Sequence, residues 1–207
     1  MLAWNEYVQI IIAIIVIIDP LGAIPIFISL TADQSDAERR RTAYVASLSV
    51  AIILIVSCFI GEWILRLFGI SIASFRIGGG ILLLLMSIAM MNAKISPAKR
   101  TDSEAEEAQG KGHVAVVPLA IPLLAGPGAI SLVIIYADKT TGALNTGFLI
   151  LSCIIVAAAI WAALSLSMRI SRMVGQTGIN IATRIMGLIL AAISIEFIAS
   201  GYKVLFK

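Results

Sequence analysis

Two short strings in this 207-residue chain set proline and glycine inside apolar surroundings. They are Asp19-Pro20-Leu21-Gly22, with Pro25 close behind, and Gly126-Pro127-Gly128, which follows Pro118 and Pro122. Proline removes a donor from the helical ladder, and glycine permits backbone geometry that other residues resist. Each string therefore predicts an interrupted helix. Asp is a favoured N-cap and Pro a favoured first helical residue, so Asp19-Pro20 reads as a helix restarting after the interruption. A restarted half-helix offers free N–H groups and a positive dipole end, which suit a carboxylate; the half-helix before it offers free carbonyls, which suit an ammonium. A small zwitterion satisfies both. Asp19 adds a carboxyl that can neutralise an ammonium, carry a proton or cap the helix. A proline kink that only shapes packing would need no ligand, but two kinks at matching places favour a shared site. The candidate ligand-binding residues are Asp19, Pro20, Gly22, Pro25, Pro122, Gly126, Pro127, Gly128 and Ser131, the last a hydroxyl just after the second break.

Two arginines and one acid complete the candidates. Arg76 and Arg184 begin apolar segments at corresponding places, where they either snorkel to an interface or pin a helix end and gate an entrance. Glu196, toward the end of the last apolar segment, would join Asp19 in a proton path. No metal, cofactor or enzymatic constellation is expected. His113 is alone, Cys58 and Cys153 lie in apolar runs as small hydrophobes, and no serine or cysteine has a histidine in reach within a segment.

The elements that carry these residues follow from composition. The chain is 60% apolar and 13% charged, against roughly a quarter charged in soluble domains, and its mean hydropathy is +1.03. Runs free of Asp, Glu, Lys and Arg, such as Thr42 to Gly61 and Thr140 to Met168, reach the roughly 20 residues that a helix needs to cross the hydrocarbon layer. The expected fold is an all-α membrane protein with six transmembrane helices: Val8 to Leu30, Thr42 to Leu65, Phe75 to Asn92, Val114 to Tyr136, Gly147 to Met168 and Thr183 to Tyr202. Helices 1 and 4 carry the breaks near mid-membrane, about twelve residues, or roughly 18 Å, of chain lying on each side of Asp19-Pro20. Lys and Arg concentrate on one side (Arg39, Arg40, Arg41, Lys94, Lys99, Arg100, Lys111, Arg169, Arg172), which reads as the cytoplasmic face with both termini outside. A net charge of +3 distributed in this way is a topology signal and does not suggest nucleic acid.

The two halves also resemble one another. Gly69-Ile70-Ser71-Ile72-Ala73-Ser74 and Arg76-Ile77-Gly78-Gly79 match Gly178-Ile179-Asn180-Ile181-Ala182-Thr183 and Arg184-Ile185-Met186-Gly187 once Phe75 is skipped. Pro20-Leu21-Gly22-Ala23-Ile24 aligns with Pro127-Gly128-Ala129-Ile130 at nearly the same offset. Three spans per copy is an odd number, so the second copy must be inverted, a recurrent plan of secondary transporters with a binding site near the midplane. The expected organisation is a first three-helix repeat over 1–98, a polar linker over 99–112 and a second, inverted repeat over 113–207. In both copies the matched segment is expected to open the third helix. Gly78, Gly79, Gly80 and Gly187 are read as sites of close helix packing.

Together these motifs closely resemble the MarC family of bacterial and archaeal inner-membrane proteins, the string Val117-Pro118-Leu119-Ala120-Ile121-Pro122-Leu123-Leu124-Ala125-Gly126-Pro127-Gly128 being the most specific. The resemblance implies six spans, a plasma-membrane location and transport of small neutral amino acids such as glycine or alanine. The family pattern takes Asn or Asp at the place of Asp19, which implies capping or hydrogen bonding, since Asn carries no proton. Export of amino acids or toxic analogues, and a non-transporting assembly or sensor role, are the competing readings. Partners would be the neutral amino acid and the lipid bilayer, and the plan also accommodates a homo-oligomer.

Overall fold

The computed structural model describes residues 4–32, 34–92, 124–139 and 142–206. The expected linker over 99–112, together with Pro118 and Pro122, lies outside the described residues. Seven helices and no strand occur among the described residues: α1 (Trp4–Ile18), α2 (Ile24–Leu30), α3 (Asp36–Leu67), α4 (Ile72–Met91), α5 (Pro127–Lys139), α6 (Ala143–Ser165) and α7 (Ser167–Leu205).

Local chemistry sets the helix ends. Ser35 caps α3 in a reciprocal box: its hydroxyl accepts the Glu38 N–H at 3.4 Å, and a Glu38 carboxylate oxygen accepts the Ser35 N–H at 2.8 Å. The Ser35 hydroxyl also donates to that carboxylate oxygen at 2.6 Å, and this bond and the backbone one hold the exposed Glu38 carboxyl below its ordinary value. The box starts α3 at Asp36, six residues before the expected apolar boundary at Thr42. At the other end Phe68 and Gly69, the latter at φ 66°, turn the chain within four residues, and Ser71 caps α4 by accepting the Ser74 N–H at 3.1 Å. So short a connection makes α3 and α4 consecutive antiparallel segments.

Four helices, α3, α4, α6 and α7, are long and apolar enough to cross a membrane. Their outer faces carry large apolar side chains, including Phe59, Trp63, Leu85, Ile154 and Leu188. Such a surface suits hydrocarbon and not water. The short helices pack against this wall, α5 largely buried and α1 with one face, including Val8 and Ile12, left exposed. In α5 every residue from Ser131 to Ile135 is buried, and α5 packs on α1, α3, α4 and α6. Helix α1 packs on α5, α6 and α7, and its inner face (Ile10, Ile14, Ile17, Ile18) joins one continuous apolar cluster with Phe27, Leu54, Leu83, Leu132 and Val156. Interrupted backbone is thus held in protein, where its polar groups find partners that lipid would not supply.

The long helices pair in antiparallel fashion. A Cβ placed on Gly80 of α4 would lie 2.9 Å from the Ser194 carbonyl oxygen of α7, and one on Gly187 would lie 3.0 Å from the Ser87 carbonyl oxygen. A third contact sets Gly201 against the Ala73 carbonyl at 2.8 Å. Only glycine permits this backbone approach, so Gly80 and Gly187 serve the packing expected of them, whereas Gly79 makes only an ordinary contact with Ser131 and Gly78, against expectation, faces open space. Helix α3 lies along α6, with the start of α3 beside the end of α6, where Asp36 and Ser165 line one cleft.

The last helix departs from expectation. Instead of a span opening at Thr183, α7 begins at Ser167, one residue after α6, and is broken at Gly175 (φ 68°, ψ 170°). The matched segment Gly178–Thr183 therefore lies inside a helix, whereas its counterpart Gly69–Ser71 is a turn and cap. The reason is the position of the left-handed glycine. In the first copy it is Gly69 itself; in the second the turn falls on Gly175, and the residues after it are free to join the helix.

Candidate functional site

The first break is a turn built around Asp19. Helix α1 ends at Ile18, and the Asp19 N–H still donates to the Ile15 carbonyl at 2.9 Å. Asp19 then adopts φ 48°, the left-handed conformation that ends many helices and that Asp and Asn tolerate better than other non-glycine residues. Pro20 to Ala23 form the turn, the Ala23 N–H donating to the Asp19 carbonyl at 3.1 Å, and α2 begins at Ile24 with Pro25 in its first turn. This corrects the expected restart. Pro20 is not the first residue of the second half-helix, and Ala23, not Asp19, is its cap, because the left-handed turn at Asp19 carries the chain out of helical register. The side chain still acts in a cap-like way, since Asp19 Oδ1 accepts the Gly22 N–H at 3.1 Å.

Asp19 is 4% exposed, and its other carboxyl oxygen makes no hydrogen bond among the described residues. A Cβ on Gly22 would overlap that oxygen and would lie 2.9 Å from Asp19 Cγ and 2.9 Å from Thr183 Oγ1 of α7. The Asp19 carboxyl and the Thr183 hydroxyl thus both approach the place where a side chain on Gly22 would lie. Thr183 was hidden in the sequence as the neighbour of Arg184. The repeat motif marked its place, but nothing in its type marked its use.

The α1–α2 unit traverses the molecule. The Tyr7 hydroxyl donates to Asn145 Oδ1 at 2.9 Å at the start of α6, and Thr31 after α2 is gripped by Arg39 at the start of α3. Those two places are opposite ends of the antiparallel α3–α6 pair. The break lies off-centre in this unit, with 15 helical residues, about 22 Å, before it and 7, about 10 Å, after it.

At the second string the described residues show the start of α5, and the chain before Leu124 lies outside them. Leu124, Ala125 and Gly126 are buried, the Gly126 carbonyl accepts the Ile130 N–H at 3.2 Å, and Pro127 is the first residue of α5, as a proline with no donor suits. Gly128 faces α4, where a Cβ would lie 2.7 Å from Met86 Sδ and 3.0 Å from Leu83 Cδ2. Ser131 is buried one turn later against Gly79 of α4. These residues line the α4–α5 seam. Both breaks border the one apolar cluster, through Ile18 and Ala23 on one side and Leu124, Ala125 and Ala129 on the other.

The charged candidates separate. Arg76, at the start of α4, donates to Asp138 Oδ2 at 3.0 Å near the end of α5, with side-chain exposures of 12% and 30%. It pins a helix end, one of its two expected roles. Arg184 is exposed and has no acid partner among the described residues. Glu196 is exposed on α7 and falls in the Arg76 group, where it acts on Lys139. Burial and the Arg76 charge lower the Lys139 amine from its ordinary value, while Glu196, Glu6 and Asp138 favour its charged form. At the opposite end Arg39 does for α2 what Arg76 does for α5, donating to the carbonyls of Thr31 (3.1 Å) and Gln34 (3.4 Å). In the sequence Arg39 is one of three consecutive arginines and reads only as topology.

Long apolar helices packed around the interrupted α1–α2 unit and the short α5, with a buried carboxyl at the interruption, define an integral membrane protein of the polytopic helical class. The model of the MarC family integral membrane proteins matches residues 4–206, and the chain belongs to that family. Its relatives include the UPF0056 membrane protein YhcE of Escherichia coli (strain K12), 42% identical over 200 residues that cover 97% of this chain and 93% of the relative. UPF0056 membrane proteins of Aquifex aeolicus (36% identical; 100% and 99% covered) and Methanocaldococcus jannaschii (38%; 95% and 86%) extend the likeness across bacteria and archaea. No solved structure matches the chain.

Proposed function

We propose that the protein is a secondary transporter of small neutral amino acids in the plasma membrane, with six spans arranged as two inverted repeats and the substrate held at the first break. The observation that carries the site is Asp19, a buried carboxyl with one oxygen engaged by the Gly22 N–H and the other without a hydrogen bond among the described residues. An acceptor that has no partner among the described residues and lies near Thr183 suits an ammonium group, and the missing side chain at Gly22 is what lets the Asp19 carboxyl and the Thr183 hydroxyl come together. The inverted plan is supported by a reciprocal contact. Gly80 meets the Ser194 carbonyl and Gly187 meets the Ser87 carbonyl, so exchanging the two halves by a shift of 107 residues, the offset between Pro20 and Pro127 and one residue from that between Arg76 and Arg184, maps one contact onto the other. Packing follows the same exchange: α5 touches α3 and α4, while α1 and α2 touch α6 and α7. Rocking of one half against the other would then alternate access to the site.

The test is flux in proteoliposomes. Saturable movement of alanine or glycine, inward or outward, supports the reading; no saturable flux under any imposed ion gradient would remove the substrate assignment. The basic end, which carries Arg39, Arg40, Arg169 and Arg172, is placed in the cytoplasm with both termini outside. Labelling of a cysteine introduced near Arg172, from each face separately, checks that orientation.

A further inference from the structure

A basic cleft opens between the start of α3 and the α6–α7 junction, far from either break. It has a volume of about 250 Å³ and is lined by Asp36, Arg39, Arg40, Ser165, Arg169 and Arg172, among others. Its charges do not cancel. Asp36 is paired at 3.5 Å with Arg39, whose other donors are committed to the Thr31 and Gln34 carbonyls. Arg40, Arg169 and Arg172 have no acid partner among the described residues, which leaves three guanidinium groups facing one space. Ser165 Oγ is buried and has no hydrogen-bond partner among the described residues. Three cations and one idle hydroxyl donor match the oxygens of a phosphate group.

The cleft does not end at the charges. A second cavity, about 240 Å³, shares Arg40, Ser165 and Arg169 with it and adds Trp161. Trp161 in turn heads a groove of about 420 Å³ between α3 and α6, whose walls include Tyr44, Ile55 and Ile154 and whose floor includes Ala51 and Ala157. From Tyr44 to Ile55 the groove follows α3 for about 16 Å, close to half the roughly 30 Å thickness of a hydrocarbon core. Small residues deepen the trough, and tryptophan sits where headgroup and chain regions meet.

We propose that this continuous feature binds an anionic phospholipid, with its phosphate at Arg40, Arg169 and Arg172 and one acyl chain in the α3–α6 groove. Basic pockets between membrane helices are recognised headgroup sites, and this one lies across elements of both halves, α3 on one side and α6 and α7 on the other. The lipid would clamp them together at one end of the molecule. Inorganic phosphate shares the headgroup chemistry but has nothing to place in the groove.

The experiment uses the purified full chain, with native mass spectrometry and thermal shift in detergent titrated with phosphatidylglycerol, phosphatidylcholine or inorganic phosphate. Phosphatidylglycerol is expected to give a retained adduct and a rise in Tm that the other two do not match. The triple variant R40Q/R169Q/R172Q should weaken the adduct at least tenfold. A158W, which fills the groove at an exposed position and leaves every charge in place, should weaken it as well. R66Q/K203Q, on the opposite end, should leave it unchanged. An equal Tm rise with phosphatidylcholine or with inorganic phosphate would overturn the proposal, as would an undiminished adduct in either cleft or groove variant, or an equal loss in the distal one.

Discussion

The two interruptions reach the same end by different means. At Asp19–Ala23 a side chain does the work: the carboxyl accepts the Gly22 N–H, and the residue holds a left-handed backbone that carries the chain aside. At Gly126–Gly128 there is no polar side chain. Proline contributes no donor there, and glycine lets α4 approach, so the break is made by what is missing. A break that depends on a side chain can be tuned chemically and disabled by one substitution. A break that depends on omission tolerates more.

That contrast can be tested by substitution, and the greatest effect is expected at the first break. Asp19→Ala loses a residue suited to positive φ and leaves a partly buried N–H unmet, a cost of roughly 2–4 kcal/mol that should appear as a large fall in Tm in detergent. Asp19→Asn keeps both properties and should stay within about 1 kcal/mol of the parent. If transport by the Asn variant retains its pH dependence, Asp19 is not the coupling residue. Gly22→Ala should displace the Asp19 carboxyl and lower proteoliposome flux at least tenfold. Gly128→Ala meets only the flexible ends of Met86 and Leu83 and should cost under about 1 kcal/mol. Equal losses in the two glycine variants would erase the distinction.

The repeat-related arginines offer a second, smaller test of asymmetry. Arg76→Gln breaks a partly buried pair with Asp138 and should destabilise by about 1–3 kcal/mol, whereas the exposed Arg184→Gln should fall within about 0.5 kcal/mol. Thermal melts of the two variants side by side decide it.

The smallest effect belongs to the α3 cap. Because Glu38 has a lowered value in the fold, its contribution is complete above the ordinary glutamate value of 4.5 and is lost as pH falls through the lowered value. Acid melts of the parent should therefore lose a small increment that Glu38→Gln lacks.

Much of this molecule was legible in its residues. Proline and glycine announced the interruption next to Asp19 and the helix start at Pro127 because no other residue types disrupt a helix so strongly, and Gly80 and Gly187 announced close packing, though Gly78 faces open space. The form of the first break was not legible. Asp19-Pro20 fits a cap followed by a first helical residue as well as it fits a left-handed turn, and the choice depends on what the α1–α2 unit must reach at each end. Thr183, Arg39 and Asp138 were equally silent, since a threonine in a helix, one arginine of three or an aspartate after a span is commonplace until a neighbour gives it a partner.

By itself, then, the sequence determined the solvent of this protein, its helical class and the two places where helices fail, all of which follow from local covalent geometry and the scarcity of charge. The tertiary structure alone decided that the short helices pack against long ones, that Arg76 finds an acid while Arg184 finds none among the described residues, and that the Asp19 carboxyl lies near a hydroxyl from α7. Those outcomes depend on which distant segments touch, and residue type alone leaves that open.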